Sequence, residues 1–316
     1  MHIPDGLMSP EVLVLGWLLA VPAIALAIRK LNRGMDERLI PFMAVLAGGI
    51  FIAQMLNFPV GGGTSGHLIG AALAVILLGP AAAMVVITTI LIIQCFVFGD
   101  GGITALGLNL LNMAVIAPLI TWTTMRTFSG RFERTGIVMG AWLSVVIAAL
   151  VAALELSLSY GLSGGAYGIA PNIAVTAMLG YHILIGIGEA TITAGVVLYL
   201  AKVSPGTLKF RHGLDGTTTV PAKGLAKAAF ALVLAFSIGL VGFFAFSAAY
   251  GDGLEITMEQ AGLSEGTPLF SGLMDYGDSY GAALVAGIVG FVITVGVVLI
   301  YWRARGKHPD KDIPQA

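Results

Sequence analysis

Charge is scarce in this sequence. Of its 316 residues only 10% are Asp, Glu, Lys or Arg, whereas 57% are hydrophobic and the mean hydropathy is +0.94. A water-soluble domain of this size could not hide so much apolar surface in one core. The alternating segments of about ten residues that mark barrel strands are also missing, whereas several uncharged runs reach the roughly 20 residues of a membrane-spanning helix. We therefore expect an all-α polytopic membrane protein.

Cysteine and the common catalytic motifs are also lacking. The single cysteine, Cys95, lies in an apolar run, which excludes a disulfide framework and a cysteine-rich zinc or iron–sulfur site. The sequence has no His-Glu-x-x-His, Gly-x-Ser-x-Gly or Gly-x-x-x-x-Gly-Lys-Ser/Thr motif. The cations form no basic face, so we expect no nucleic-acid partner. We expect no enzymatic activity, and any uphill transport would draw its energy from a partner protein.

Apolar runs predict nine membrane-spanning helices and two units. The runs cover about residues 10–28, 39–58, 67–78, 81–98, 103–123, 136–158, 172–201, 228–250 and 281–302. The first seven helices form a bundle within residues 1–205, followed by a polar linker over residues 206–227. The second unit, residues 228–316, has two helices joined by an acidic connection at residues 251–280.

The positions of the cations predict how the chain crosses the membrane. All 16 Lys and Arg residues lie within residues 29–38, 126–134, 202–227 and 303–311. Connections on the cytoplasmic side collect Lys and Arg, and nine spans place all four segments on that side if the amino terminus is outside and the carboxyl terminus inside. The first residues, the connection before His67 and the acidic connection then face the extracytoplasmic side.

The amino-terminal residues are polar, rich in turns and able to chelate. The α-amine of Met1, the amide nitrogen of His2 and its imidazole can close fused rings around one metal ion. We expect the amine to remain available, because no basic region and cleavage site of a signal peptide precede the first apolar run. With His67, which follows a glycine-rich loop, these donors make a flat set of four nitrogens. Such a set favours Ni(II) or Cu(II) over tetrahedral zinc. For His67 alone, an interfacial cap of the third span is the alternative.

Two further ionisable residues lie within one span. His182 and Glu189 are seven residues apart and share a helix face, but their depths differ by about 10 Å, so one ion cannot readily be bound by both. We expect them to support the pocket around the metal, with helix-to-helix hydrogen bonds as the alternative. Ionisable groups inside a membrane mark function by default. Asp5 either holds the amino-terminal segment by accepting hydrogen bonds or is a plain turn residue.

The remaining polar residues receive simpler interpretations. Asp100, His212 and His308 are interpreted as solvated loop residues. Small residues at four-residue spacing between Ala44 and Ala53 predict a close-packed helix face for a partner.

Three segments closely resemble the nickel/cobalt-specific substrate-binding (S) component of energy-coupling-factor ABC importers, of the CbiM/NikM type. They are Met-His-Ile-Pro-Asp-Gly at residues 1–6, Gly-His-Leu at residues 66–68, and Tyr-His-Ile-Leu-Ile-Gly-Ile-Gly-Glu-Ala at residues 181–190. Asp-Gly-Leu-Glu at residues 252–255 resembles the core of the Pro-Asp-Gly-Leu-Glu signature of the small accessory subunit, with Gly251 where proline is usual. The resemblance therefore indicates a fusion of the two subunits, as in NikMN-like proteins.

The resemblance implies a function and partners. It implies a seven-helix binder in the plasma membrane of a prokaryote, with the amino-terminal segment inserted into the pocket and Met1, His2 and His67 as ligands. It also implies a separate transmembrane coupling (T) subunit and two cytoplasmic ATPase subunits. The Ile-Pro-Asp-Gly start favours Ni(II) over Co(II) as the transported substrate, with no organic cofactor. Co(II) supply to cobalamin synthesis is the alternative.

Two other classes stay open from the residues alone. One is a self-sufficient secondary metal transporter or channel, although no string of intramembrane carboxylates is present to relay protons. The other is a metal-sensing receptor, although the cytoplasmic connections are short and hold no signalling domain.

Overall fold

The computed structural model describes most of the chain. The described residues are 2–34, 36–61, 63–204, 222–244, 250–264, 266–277 and 279–305. Met1, His212 and His308 lie outside the described residues, and so do residues 206–221, the greater part of the predicted linker.

Within the described residues the protein is a bundle of helices with one two-stranded ladder, as the composition predicts. The helices are α1 (Pro10–Gly34), α2 (Ile40–Met55), α3 (Ala71–Leu78), α4 (Pro80–Ile93), α5 (Leu106–Asn109), α6 (Ala117–Thr127), α7 (Glu133–Leu162), α8 (Pro171–Val203), α9 (Ala222–Phe244), α10 (Gly253–Gln260) and α11 (Tyr280–Arg305). The antiparallel ladder joins β1 (Phe58–Pro59) to β2 (Ser65–Gly66).

Seven helical segments of the described chain are long and apolar enough to cross a membrane. They are Pro10–Arg33, Glu37–Met55, Pro80–Phe98, Leu106–Thr127, Glu133–Leu162, Pro171–Val203 and Tyr280–Arg303. The prediction of an all-α, multi-pass membrane protein is therefore confirmed. Helix α9 coincides with the eighth predicted span and already begins within the predicted linker, but it is not among these seven segments.

The third predicted span, residues 67–78, is wrong as a membrane-spanning helix. Its helix, α3, has eight residues, which is about 12 Å of helix against a hydrocarbon core of about 30 Å. All eight residues are buried inside the bundle. Gly70 at φ 72° and Gly79 at φ 85° stand at its two ends, in a backbone conformation that only glycine adopts at low cost. The apolar run predicted a span because a buried helix and a lipid-facing helix have the same composition.

Helices α9 and α11 pack against α2 through its small residues. A Cβ atom added to Gly48 would lie 2.6 Å from the ring of Phe291 in α11, and one added to Gly49 would overlap the ring of Phe236 in α9. The interpretation of this small-residue face as a docking site for a partner protein is therefore wrong. The chain's own second unit covers the part of the face that contains these two glycines.

Two π-helical turns interrupt the spans near one end of the bundle. One covers Gln94–Phe98 after α4, and the other covers Leu110–Ile116 between α5 and α6. Single π turns inside α-helices are frequent at functional sites because they change the direction of the side chains that follow. Gln94, in the first π turn, and Asn109, just before the second, are buried and contact the amino-terminal residues.

Candidate metal centre

The amino-terminal segment is inserted into the end of the bundle at which α1 begins. Ile3 is fully buried, and its amide donates a 2.8 Å hydrogen bond to Asn109 Oδ1. Its carbonyl accepts from Asn109 Nδ2 at 3.2 Å and from the Gly102 amide at 2.8 Å. The chain passes so close to Asp5 at Gly102 that a Cβ atom there would overlap the Asp5 backbone. Asn109 thus pairs with the segment as a neighbouring strand would.

Asp5 anchors this segment at a second point. Its Oδ1 accepts hydrogen bonds from the amide and the hydroxyl of Thr104, at 2.9 and 2.6 Å. Its Oδ2 accepts from the Leu269 amide at 3.2 Å. Burial acts to raise the pKa of Asp5, but the hydrogen bonds from Thr104 and Leu269 outweigh burial and hold the pKa below its ordinary value. Of the two interpretations of Asp5, the anchor is the one the structure supports.

His2 lies in a polar cleft against His67. The two rings are stacked, with centroids 5.2 Å apart and planes 22° from parallel. His2 Nδ1 lies 3.2 Å from Asp100 Oδ1, and His2 Nε2 lies 3.2 Å from Gln94 Oε1. Burial lowers the pKa of His2 to about 4, although Asp100 acts in the opposite direction. The His2 imidazole is therefore neutral at pH 7.

A neutral imidazole donates through one nitrogen only, which decides the hydrogen bonds around His2. Asp100 needs a donor, so Nδ1 carries the proton and Nε2 accepts. The Gln94 amide must then donate to Nε2, which exchanging its oxygen and nitrogen positions achieves.

Asp100 is not the solvated loop residue that its glycine-rich surroundings indicated. Besides His2, it binds Tyr276, whose hydroxyl donates to Asp100 Oδ2 at 2.9 Å. Burial, together with the charge of Asp100, raises the pKa of Tyr276 well above its ordinary value. No local pattern predicts this contact, because the two residues are 176 positions apart.

Glu189 positions the chain just after His67. Its side chain is fully buried, and its two carboxylate oxygens accept hydrogen bonds from the amides of Ile69 and Gly70 at 2.7 and 2.9 Å. Glu189 thus holds the turn between His67 and α3 and bonds to backbone rather than to a side chain of another helix.

The second unit reaches His67 directly. Asp252 Oδ2 lies 3.7 Å from His67 Nε2, and Asp252 also caps α10 by accepting from the amides of Leu254 and Glu255. Glu255 completes a capping box by accepting from the Asp252 amide at 3.0 Å. Asp-Gly-Leu-Glu is therefore the start of a helix. A capping residue such as Asp followed three positions later by Glu is a sequence pattern that predicts a helix start. The prediction of an acidic connection over residues 251–280 did not include this helix.

The connection is also paired with the loop before His67. The Ser65 amide donates to the Gly251 carbonyl at 3.0 Å, and the Ser65 hydroxyl donates to the Tyr250 carbonyl at 2.7 Å. The Thr64 hydroxyl donates to the Gly251 carbonyl at 3.2 Å. These bonds fix the approach of Asp252 to His67.

His182 lies behind His67 rather than beside His2. Its Nδ1 is 2.8 Å from the Met178 carbonyl of its own helix, and its side chain is buried. With His67 and Asp252 it lines a small cavity. A Cβ atom on Gly253 would lie 2.7 Å from His182 Cε1, so only glycine lets the start of α10 come this close. Met1, the remaining predicted ligand, lies outside the described residues.

A larger cavity of about 290 Å³ opens beside His2 and His67. Within the described part of the chain, no group of three His, Cys, Asp or Glu side chains is arranged to hold a metal ion. A metal ion bound here would therefore need further donors in addition to these side chains, such as backbone or terminal nitrogens.

Residues 2–207 match the family described as the cobalt uptake substrate-specific transmembrane region, CbiM. The chain belongs to the CbiM family. Its resemblance to this family, inferred above from three short segments, is thus confirmed.

Relatives of this CbiM-family protein include fused proteins of nearly the same length. It is 37% identical over 303 residues to the putative fused nickel transport protein NikMN of Archaeoglobus fulgidus, covering 94% of this chain and 96% of the relative. It is 34% identical over 230 residues to the fused nickel transport protein NikMN of Rhodobacter capsulatus, covering 67% and 65%. The first match extends over both units of the chain.

A solved structure described as a truncated transition metal transporter is also similar. It shares 38% sequence identity and a TM-score of 0.59 with this CbiM-family protein. The similarity covers 64% of this chain and 99% of that structure.

Proposed function

We propose that this protein is the substrate-capturing transmembrane subunit of an ATP-driven energy-coupling-factor importer, and that its cargo is Ni(II). Four nitrogens bind the ion in this proposal, namely the α-amine of Met1, the amide and imidazole nitrogens of His2, and the imidazole of His67. The ion is a transported substrate, and the protein is not an enzyme. Co(II), supplied to cobalamin synthesis, is the alternative cargo.

One observation carries the proposal: the rings of His2 and His67, 65 positions apart in sequence, lie 5.2 Å apart at the end of a helical membrane bundle. Burial keeps His2 neutral, which is the form that binds a metal ion. A neutral imidazole pair with backbone nitrogens suits a square-planar or tetragonal metal such as Ni(II).

Binding requires one exchange of partners. The His2 nitrogen that can close a six-membered ring with its own amide is Nδ1, and this atom faces Asp100. The ion must replace the proton that Nδ1 shares with Asp100. Asp100 then has only Tyr276 as a hydrogen-bond donor among the partners described above, so loading is coupled to the second unit through that tyrosine.

Nickel is preferred over cobalt for two reasons. The relative that matches both units is named a putative fused nickel transport protein, and a second fused nickel transport protein matches 67% of the chain, although relatives named as cobalt transport proteins also match. A deprotonated backbone amide ligand further favours an ion that accepts a planar nitrogen set. A titration with competing Ni(II), Co(II) and Cu(II) on a protein with an untagged amino terminus separates these cargoes.

The remaining parts of the proposal concern partners and orientation. A transmembrane coupling subunit and two cytoplasmic ATPase subunits would supply the energy, with the amino terminus on the extracytoplasmic side. The second unit would assist loading, since Asp252 and Tyr276 lie at the site. Uptake of Ni(II) into vesicles should therefore require the coupling and ATPase subunits. Uptake by this chain alone would indicate a self-sufficient transporter instead.

The ligand set is tested by equilibrium Ni(II) binding to the detergent-solubilised full chain. Two variants are compared with the wild type: one has an extra residue before Met1, and the other is His67→Ala. Loss of a residue that only supports a metal ligand weakens binding by about 10–100-fold. Each variant should weaken Ni(II) binding by more than that, because each removes a ligand. The control adds the same residue after Ala316. Unchanged affinity in either of the first two variants would remove that ligand from the proposal.

A further inference from the structure

Glu155 is a buried carboxyl group that the proposed ligand set does not use. It lies in α7, one of the membrane-spanning segments, and is only 7% exposed. Its Oε2 accepts a 2.7 Å hydrogen bond from Asn112 Nδ2. Among the described residues no Lys, Arg or His forms an ion pair with it. An ionisable group inside a membrane is costly and marks function by default.

The second oxygen of each partner in this hydrogen bond is left without a donor. Glu155 Oε1 and Asn112 Oδ1 are both buried, with almost no accessible surface and no hydrogen-bond partner among the described residues. Water from a cavity cannot reach atoms that are so enclosed. A proton on Oε1 needs no such space, and it converts that oxygen into a donor. It also removes the buried charge, which is the larger cost.

Asn112 lies in the second π turn, Leu110–Ile116, which follows Asn109 directly. The Asn112 carbonyl accepts from the Ala117 amide, five residues further on, which is the hydrogen bond of a π turn. Such a turn contains one residue more than an α-helical turn, so its loss would rotate the residues before it by about 100° relative to those after it. Asn109 would then turn away from Ile3, with which its side chain now pairs.

The same face of α7 also holds the other end of the amino-terminal segment. Ser159 lies one turn after Glu155 on this face, and its hydroxyl accepts a 2.6 Å hydrogen bond from the Ser9 amide. The face therefore holds Ser9 directly. It reaches Ile3 indirectly, through the π turn and Asn109.

We propose that Glu155 is a protonated positioning residue. Its O–H donates to Asn112 Oδ1 while its Oε2 accepts from Asn112 Nδ2, and this neutral pair maintains the π turn that directs Asn109 towards Ile3. Docking of the amino-terminal segment in this way needs no metal ion. The effect on Ni(II) affinity rests on the proposed function, because the docked segment carries His2.

Infrared spectroscopy of the metal-free full chain in detergent at pH 7 tests the proton. A protonated carboxylic acid has a carbonyl band separate from those of carboxylates and amides, and this band shifts in heavy water. The wild type should show such a band that is missing in Glu155→Gln. Identical spectra of the two proteins in this region would overturn the protonated pair.

Hydrogen exchange of the Ile3 amide tests the positioning role, with amides of α2 as the reference for folding. Glu155→Leu should lower the protection of Ile3 by about fivefold or more, as expected for loss of a buried hydrogen bond. Asn112→Leu removes the same pair from the side of the π turn and should have the same effect. Glu155→Gln should retain the protection, because an amide can form both hydrogen bonds with Asn112.

The matched control is Ser157→Leu, a polar residue of the same helix whose hydroxyl donates to the Ala153 carbonyl of α7 itself. It should leave the protection of Ile3 unchanged. Unchanged protection in Glu155→Leu and Asn112→Leu would mean that a local cause, such as the missing amide hydrogen of Pro118, maintains the π turn. That result would overturn the positioning role, and so would equal losses in Glu155→Leu and Glu155→Gln.

The Ni(II) affinity of the same variants separates this inference from the proposed function. A loss of Ile3 protection in Glu155→Leu together with Ni(II) binding weakened by about 10-fold supports both. A loss of protection with unaltered Ni(II) affinity contradicts the proposed function, because the amino-terminal segment would then carry no ligand. Unaltered protection contradicts the positioning role alone.

Discussion

The second unit contacts the first in two places that are built in opposite ways. Within the bundle, α9 and α11 pack on α2 through glycines and phenylalanines, as at Gly48 with Phe291. At the end that holds His2 and His67, residues 250–277 make polar contacts, such as Asp252 with His67. The apolar contact depends on shape alone, whereas the polar contact depends on charge and on individual hydrogen bonds. The first determines where the unit sits, and the second determines what it presents to His67.

Tyr276 is the residue at which the two kinds of contact meet. Its ring stacks on Phe98 with centroids 4.9 Å apart, and it also lies against Phe51 of α2. Its hydroxyl reaches Asp100, which holds His2. A shift of the second unit along α2 would therefore move a hydrogen-bond donor of the site.

The largest expected effect comes from breaking the apolar contact. A Cβ atom on Gly290 of α11 would overlap the ring of Phe51 in α2, so Gly290→Leu must separate the helices. Overpacking costs about 1–3 kcal/mol, and this overlap should reach about 3 kcal/mol or more. Thermal unfolding in detergent measures the loss. Gly296→Leu on the same helix meets open space and is the control. Equal melting temperatures for the two variants would contradict the packing.

A smaller effect should appear only at the polar end, when the pH falls. The pKa of His2 is about 4 in the folded protein against 6.5 when exposed. The unfolded segment therefore binds the proton more tightly, and docking loses stability as the pH falls from about 6.5 towards 4. Between pH 7 and pH 5 the loss is about 2 kcal/mol.

Hydrogen exchange of the Ile3 and Gly102 amides in metal-free protein measures this loss, with the amides of α2 and α11 as internal reference. The phenylalanine of His2→Phe cannot be protonated. In this variant the protection factors of the two amides should therefore no longer depend on pH. A pH dependence that persists in this variant would assign the proton to another group.

The smallest expected effect separates two roles of Asp252. Asp252→Ala removes both the α10 cap and the carboxylate beside His67, whereas Asp252→Asn retains a capping side chain. Loss of the cap should cost about 1 kcal/mol of α10 stability, seen as faster exchange of the Leu254 and Glu255 amides in the alanine variant only. If both variants lose protection equally, the charge rather than the cap holds α10.

Short-range patterns made part of the site predictable. The turn-rich start, the histidine after a glycine-rich loop and the ionisable residues of α8 were all visible as residues in unusual places, and the structure brings His2 and His67 together. Asp100, Gln94 and Asn109 were not visible in this way. Asp100 stands among glycines as any turn residue does. Gln94 lies in a π turn and Asn109 just before one, and no periodicity in the sequence predicts such turns.

The sequence by itself determined that this is a helical membrane protein, because apolar runs of sufficient length have no other stable form in a bilayer. The sequence also identified the residues that could donate nitrogen ligands to a metal ion, namely Met1, His2 and His67. Only the tertiary structure decided that α3 is a short buried helix, that the small residues of α2 face the chain's own second unit, and that Asp252 and Tyr276 reach the site. The last two outcomes depend on contacts between residues more than 100 positions apart, and no local pattern encodes such contacts.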